Sequence, residues 1–446
     1  MRVHSWYSPT RTGSLAQEPK SSRIWQTGPS VSTPPIAVRG TCGRFRSPIR
    51  DSAPRAGVRS LNASAATISR LPTWPTTRPP WPARNTTTKC STSPSRPTSS
   101  CWRGPTNPPS VPPWKPRCRP CAAGSSDAVR SIAPAAIAEA IGVIDPVFLA
   151  TPQFEVESLG GAMGCSLTVK VETVNPIRSF KGRGAECFAA TLPTDGPGLV
   201  CASAGNFGQG LAWAARRRGL VLDVFASTRA NPLKIARMRA LGATVHQAGD
   251  DFDASKDAAR AWAEANGRRY VEDGREPAIA AGAGTIALEL TRGGGTFDAW
   301  LIPLGNGAML GGMAAWIRAH DPRAEVIGVC AAGAPSMQRS WARGAAVPTE
   351  RADTIADGIA VRVPIPEAVE SLMGVVDDVV LVDDETTLAA MRDLRRALGL
   401  LVEPAGAVGV AALAADRPRF AGRRVVTVLC GSNVTDEQVR SWDLHA

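Results

Sequence analysis

Residues 199–226 read LVCASAGNFGQGLAWAARRRGLVLDVFA, and this stretch decides the fold. Leu199 to Ser203 is a short apolar run that reads as a strand. A glycine-punctuated turn follows, then Gly208 to Arg217 with apolar residues at helical spacing. Val221 to Ala226 is apolar again and strand-like. Two buried strands joined by a helical crossover must run parallel, because a hairpin cannot connect them in that direction. The same alternation extends both ways. Leu167 to Val171, Thr244 to Gln247, Ala299 to Pro303, Glu325 to Cys330, Asp378 to Val382 and Arg424 to Leu429 read as strands. Ala185 to Leu192, Pro232 to Leu241 and an acid-started segment from Asp250 to Ala265 read as helices. The expected class is α/β, a parallel sheet covered by helices. Ligands in such folds collect at the carboxyl ends of the strands, so the loops after strands should hold the chemistry.

The chain has 446 residues and a formal charge of +12, and that charge is confined to one part of it. Residues 1–126 carry 19 Lys and Arg against two acids, Glu18 and Asp51, whereas the rest is net −5. This first quarter also holds 21 of the 37 prolines and half of the Trp and Cys. It shows no stable hydrophobic period, so it cannot bury enough apolar surface to offset its chain entropy, and disorder is expected. A transit peptide fits poorly with Trp74, Trp81, Trp102 and Trp114. Its composition is what GC-rich DNA yields out of frame, and a start site placed too early is the second expectation. Cys118-Arg-Pro-Cys121 has metal-ligand spacing but no second pair, so no zinc site is expected. The remaining cysteines are scattered, which suits a reducing cytoplasm. Four histidines and no serine nucleophile motif leave little for a hydrolytic triad. No run approaches the ~20 uncharged apolar residues of a membrane helix, so a soluble protein is expected.

Beyond residue 126 lysine occurs only four times, at Lys170, Lys181, Lys234 and Lys256, while arginine is common. A guanidinium stays protonated, but a partly desolvated primary amine can lose its proton and attack a carbonyl. Lys181 lies in Asn175-Pro-Ile-Arg-Ser-Phe-Lys-Gly-Arg-Gly184, between the strand ending Lys170-Val171-Glu172 and a helix. An amine there sits near unpaired helix N–H groups, a setting for an anionic cofactor. Three more loops share the position after a strand. Ser203-Ala-Gly-Asn-Phe-Gly-Gln-Gly210 can hold a carboxylate on its N–H groups, and Gly305-Asn-Gly-Ala308 can wrap a phosphate. Cys430-Gly-Ser-Asn433 ends the last buried strand with a short neutral side chain.

In combination these residues resemble the fold-type II pyridoxal-phosphate enzymes, and among them the threonine/serine dehydratases, with serine racemase a near relative. The resemblance spans about residues 130 to 440 and rests on SFKGRGA, SAGNFGQG, AGAGTIALEL, the glycine loop, TIADGIAV, LLVEPAGAVGVAAL and VLCGSN in family order. It implies that Lys181 carries pyridoxal 5'-phosphate covalently, Phe180 lines its ring and Asn206 hydrogen-bonds its phenolic oxygen. Gly305, Asn306, Gly307 and Ala308 would hold the phosphate, and Cys430 would face the pyridine nitrogen. A thiol there does not keep that nitrogen protonated as an aspartate would, which favours prompt loss of a β-leaving group. The free amine of Lys181 would remove the Cα proton, the cofactor phosphate would protonate the departing hydroxyl, and Ser203, Ala204 and Gly205 would hold the substrate carboxylate. The products would be a 2-oxo acid and ammonia.

Two departures sharpen the reading. The racemase has a second Ser where this chain has Ala204, so racemisation is disfavoured. The family's divalent-cation positions fall on Cys330 and Ser336, so no metal site is expected. Glu403 reads either as a group near the ring or as a helix-start carboxylate, and Asp357-Gly358 as a turn. Met309 and Met313 read as core, and Lys234 receives no catalytic role. The expected organisation is a large domain, 127–195 with 279–446, and a small domain inserted at 196–278. The chain ends soon after the cysteine loop, and feedback by isoleucine is therefore not expected. A β-replacement or threonine synthase-like enzyme is the nearest rival. A nucleic-acid-binding protein working through its basic N-terminus is the rival of another class; the favoured partner is a small amino acid, with no nucleic acid or membrane, on a homodimer.

Overall fold

The structure is a computed structural model that describes residues 132–193 and 195–445. The basic N-terminal quarter, with Cys118 and Cys121, lies outside the described residues. Ten strands occur among the described residues: β1 (Gln153–Glu155), β2 (Ser166–Val171), β3 (Leu199–Ala202), β4 (Leu222–Ala226), β5 (Thr244–Gln247), β6 (Arg269–Tyr270), β7 (Ala299–Pro303), β8 (Glu325–Ala331), β9 (Asp378–Val382) and β10 (Arg424–Leu429). They form a six-stranded sheet in the order β1-β2-β10-β7-β8-β9 and a four-stranded sheet in the order β5-β4-β3-β6. The four-stranded sheet lies wholly between residues 199 and 270, and the six-stranded sheet takes strands from both sides of it.

Every pairing is parallel except that of β1, which runs antiparallel along the edge of β2, with Phe154 opposite Val169. The larger sheet is thus mixed, a departure from the all-parallel expectation. With three and two residues, β1 and β6 carry no apolar period, and neighbouring strands define them. The inner strands β3, β4 and β7 are buried along their whole length, as parallel strands covered on both faces must be.

A buried polar cluster ties the end of β2 to two helices. Arg183, fully buried, donates from Nε and Nη2 to both Glu172 oxygens at 2.8 and 2.9 Å. Its Nη1 and Nη2 reach the two oxygens of Glu289 at 2.9 Å, and Lys170 Nζ adds a 2.7 Å contact to the same carboxylate. Glu172 directly follows β2, Arg183 stands in the first turn of the helix Lys181–Ala190, and Glu289 belongs to the helix Pro277–Arg292. The fork geometry of arginine satisfies two carboxylates at once, which a lysine could not do.

Burial alone would push the Glu289 carboxyl upward, but Arg183 and Lys170 outweigh it and hold it at about 2, against an ordinary 4.5. A depressed carboxylate stabilises the fold above its unfolded value, and that stability disappears as pH falls through the folded one. We therefore expect about 3 kcal/mol of stability to be lost between about pH 4.5 and 2 through this residue. Urea titrations should show the loss in the wild type and a shallower pH slope in Glu289→Gln. Equal slopes would count against the cluster.

Candidate active site

Four strand-end loops meet around one cavity of about 770 Å³. Three follow the neighbouring strands β2, β10 and β7, and the fourth follows β3 of the other sheet. The cavity therefore opens between the two sheets, at the carboxyl ends of their strands, where side chains from both can converge. All residues expected at a site from the sequence line it: Phe180 and Lys181; Ser203, Ala204, Gly205 and Asn206; Gly305, Asn306, Gly307 and Ala308; and Cys430.

Lys181 is the first residue of its helix, four residues earlier than the sequence pattern placed the start. Its Nζ lies 4.7 Å from the centre of the Phe180 ring and pairs with the carboxylate of Asp273. Ser203 Oγ accepts from the backbone N–H groups of Gly205 and Gly208 at 3.2 and 2.9 Å, so it closes the turn that opens the helix Asn206–Arg218. The Gly205 N–H expected to face a carboxylate thus already has an acceptor. Asn206 Nδ2 donates to Glu403 Oε1 at 2.6 Å, and its Oδ1 accepts from Asn433 Nδ2 at 2.6 Å. Two neighbours thereby fix the orientation of that amide.

Gly307 has φ +93° and stands just before the helix Ala308–His320, whose first N–H groups open onto the cavity. Only glycine holds that backbone conformation without strain, and a Cβ there would come within 3.3 Å of Ala368. Beside it, a Cβ on Gly305 would press to 3.1 Å on the carbonyl oxygen of Gly358. A bare backbone cradle at a helix N-terminus suits a phosphate. Cys430 is buried at the end of β10, and burial, with the nearby Glu403 charge, pushes its thiol upward. It is a neutral thiol, not a nucleophilic thiolate. An amine, a phosphate cradle and a neutral side chain at three sides of one cavity fit pyridoxal 5'-phosphate.

Several residues lie otherwise than the sequence suggested. Glu403 precedes the helix Pro404–Ala415, yet its side chain makes no capping bond. Instead it is buried against Asn206 and the Asn433 N–H, so the helix-start reading gives way to the cavity reading. Burial raises its carboxyl, which Asp357 reinforces and Lys234 opposes. Lys234 is buried in the cavity wall and pairs with Asp357 Oδ2 at 2.5 Å; burial pulls it down, but Asp357 and Glu403 hold it above the ordinary lysine range. Asp357 therefore does more than shape a turn. Met313 is core, while Met309 is buried and also faces the cavity. Cys330 Sγ lies 3.6 Å from the Leu304 carbonyl oxygen, and Ser336 Oγ donates to Val361 at 2.5 Å. Among the described residues no cluster of His, Cys, Asp and Glu is placed to hold a metal ion. Sequence reasoning missed Asp273, Glu272 and Lys256 in the cavity wall, because nothing local marks them.

The sequence pattern of the family described as pyridoxal-phosphate dependent enzymes matches residues 144–431. The chain is 31% identical over 306 residues to the biosynthetic L-threonine dehydratase of Lactococcus lactis, covering 67% of this chain and 74% of that one. It is 36% identical over 274 residues to the L-threonine ammonia-lyase of Geobacter sulfurreducens, covering 61% and 68%. Another relative is longer, and the chain spans 57% of the Pasteurella multocida threonine dehydratase. Among solved structures, the processed form of threonine deaminase isoform 2 from Solanum lycopersicum superposes with a TM-score of 0.68 at 28% identity, over 76% of this chain and 99% of that one. With the cavity and its lysine at a helix start already in place, these likenesses leave one conclusion: the chain belongs to the pyridoxal-phosphate dependent enzymes.

Proposed function

We infer that this chain eliminates the β-hydroxyl of a small 2-amino acid such as L-threonine or L-serine, releasing a 2-oxo acid and ammonia. The observation that carries the reading is Lys181, whose amine stands at a helix start inside the cavity where all four strand-end loops converge. The dehydratase and ammonia-lyase names of the relatives, at 31% and 36% identity, support the same chemistry. Bound pyridoxal 5'-phosphate supplies the electron withdrawal that makes the substrate Cα–H acidic.

In this reading Lys181 would hold the cofactor, and its amine would take the Cα proton. The glycine run from Gly305 to Ala308 anchors the phosphate on backbone N–H groups. Asn206, oriented by Glu403 and Asn433, presents its remaining N–H to the phenolic oxygen. Cys430 stays neutral beside the pyridine nitrogen. Ser203, Ala204 and Gly205 form the substrate-carboxylate loop, with Gly205 exchanging the Ser203 oxygen for the incoming carboxylate. A large domain of 127–195 with 279–446 and a small domain of 196–278 would close on the substrate and exclude water. The reading includes a symmetric homodimer, the commonest assembly among soluble oligomers. It also includes a cytoplasmic setting, which the five free cysteines among the described residues suit.

The test is direct. Purified protein loaded with pyridoxal 5'-phosphate should release 2-oxobutanoate from threonine or pyruvate from serine. Turnover seen only with added sulfide, or only with phosphorylated homoserine, would move the chain to replacement or threonine synthase chemistry.

A further inference from the structure

Among the described residues Asp273 is the one acid that touches the Lys181 amine. It follows Glu272 in the loop between β6 and the helix Pro277–Arg292, and its carboxylate contacts Lys181 Nζ through Oδ2. The residue is 8% exposed, lines the cavity, and its second oxygen, Oδ1, is buried without any hydrogen-bond partner. A buried, unpaired carboxylate oxygen is costly and calls for an explanation. Among the other acids of the wall, Glu350 and Asp353 are exposed, Asp251 caps a helix, and Glu272 also has a buried oxygen without a hydrogen bond but stands among three cations. Glu403 is held by Asn206 and Asn433, Asp357 by Lys234, Glu272 by Lys256 and Arg260, and Asp253 by Arg362. Asp273 has only Lys181.

That pairing has a chemical consequence. Lys181 would be the group that holds the cofactor, and Asp273 is the acid in contact with its nitrogen. Its second oxygen, buried and without a partner, is a free hydrogen-bonding group beside that amine. Elimination of a hydroxyl needs a proton on the departing oxygen, and here a carboxyl with an unpartnered oxygen sits against the amine proposed to collect one.

We propose that Asp273 is the general acid of the elimination, relaying the proton that Lys181 removes from Cα to the departing β-hydroxyl oxygen. The proposal rests on the functional reading above and replaces the cofactor phosphate as the expected proton donor. The step balances as follows. The Cα–H bond breaks and its proton goes to the Lys181 amine. The electron pair left behind forms the Cα=Cβ bond as the Cβ–O bond breaks, its pair staying on oxygen. Lys181 passes its proton to Asp273, which delivers it to that oxygen, and water leaves. Lys181 is again a neutral amine and Asp273 again a carboxylate.

A leaving group that needs no proton separates this role from mere support of the site. In the full-length holoenzyme, Asp273→Asn should lower kcat for L-serine by about 100-fold or more, while kcat for 3-chloroalanine, which expels chloride, falls less than about fivefold. Cofactor binding followed by absorbance, and borohydride fixation of the cofactor to Lys181, should stay within about threefold of wild type if the residue acts on protons. In cofactor-free protein, reductive methylation of Lys181 should run faster in the Asn variant, since the carboxylate that occupies the amine is gone. Should that variant fail to fold, Asp273→Ala assayed with and without formate gives the same decision, with rescue expected for serine and not for 3-chloroalanine. Equal losses with both substrates, or a methylation rate indifferent to residue 273, would overturn the assignment. A wild type inert toward serine and threonine would instead defeat the functional reading. A wild type that turns over serine, with Asp273→Asn as fast, would return the acid role to the phosphate.

Discussion

Lys181→Ala is expected to lose at least about 10³-fold in kcat, because on the proposed reading it removes the amine that carries the cofactor and moves the Cα proton. Lys181→Arg should be no better. The guanidinium keeps the positive charge opposite Asp273 but cannot release a proton to become a nucleophile. The pairing with Asp273 should survive in part, so the Arg variant is expected to fold and still admit cofactor without covalent attachment. Borohydride reduction followed by peptide mass spectrometry gives the decision. The wild type should carry a cofactor adduct on the peptide containing residue 181 and neither variant should carry one there. An adduct on Lys234 or Lys256, both in the same cavity wall, would reassign the amine.

The largest stability effect is expected at Arg183. Arg183→Leu removes the one group that faces both Glu172 and Glu289, leaving Glu172 fully buried with no cation. Breaking a buried ion pair from one side costs about 3–5 kcal/mol, far more than the apolar side chain recovers. A urea midpoint shift of that size should be accompanied by weaker cofactor binding, since Arg183 lies two residues beyond Lys181 and pins the start of its helix to the end of β2. Arg183→Lys should recover little, as a single ammonium cannot reach two carboxylates in fork geometry. A midpoint change below about 1 kcal/mol would show that the cluster contributes order without stability.

The strand cores were legible because they are apolar, β-branched runs stopped by polar residues. Thr244 to Gln247, Ala299 to Pro303, Asp378 to Val382 and Arg424 to Leu429 have the ends read from sequence. Helix starts were less legible where glycine intervenes. Gly182 and Gly184 argue against a helix on propensity, yet a Cβ at 182 would stand 2.4 Å from the Phe148 ring and one at 184 would meet the Ile279 carbonyl at 2.6 Å. Close packing makes those glycines necessary, and the packing carries the helix back to Lys181. The loops of the site were legible because each combines small residues with a place directly after a strand. Asp273 was not, for it lies 92 residues beyond Lys181 and no local pattern distinguishes it from a surface acid. Glu403 was half legible: its place before a helix was visible, but the direction of its side chain depends on Asn206, 197 residues away.

The four lysines of this body share one property that outlasts the chemistry of any single one. Lys170, Lys181, Lys234 and Lys256 have side chains only 1%, 16%, 6% and 10% exposed, and each is neutralised by an acid. Acylating metabolites and reducing sugars, which wear out proteins by attacking exposed primary amines, find almost nothing to react with on the outside of residues 132–445. An adduct that does form there falls on a buried amine, and three of the four stand in the cavity wall.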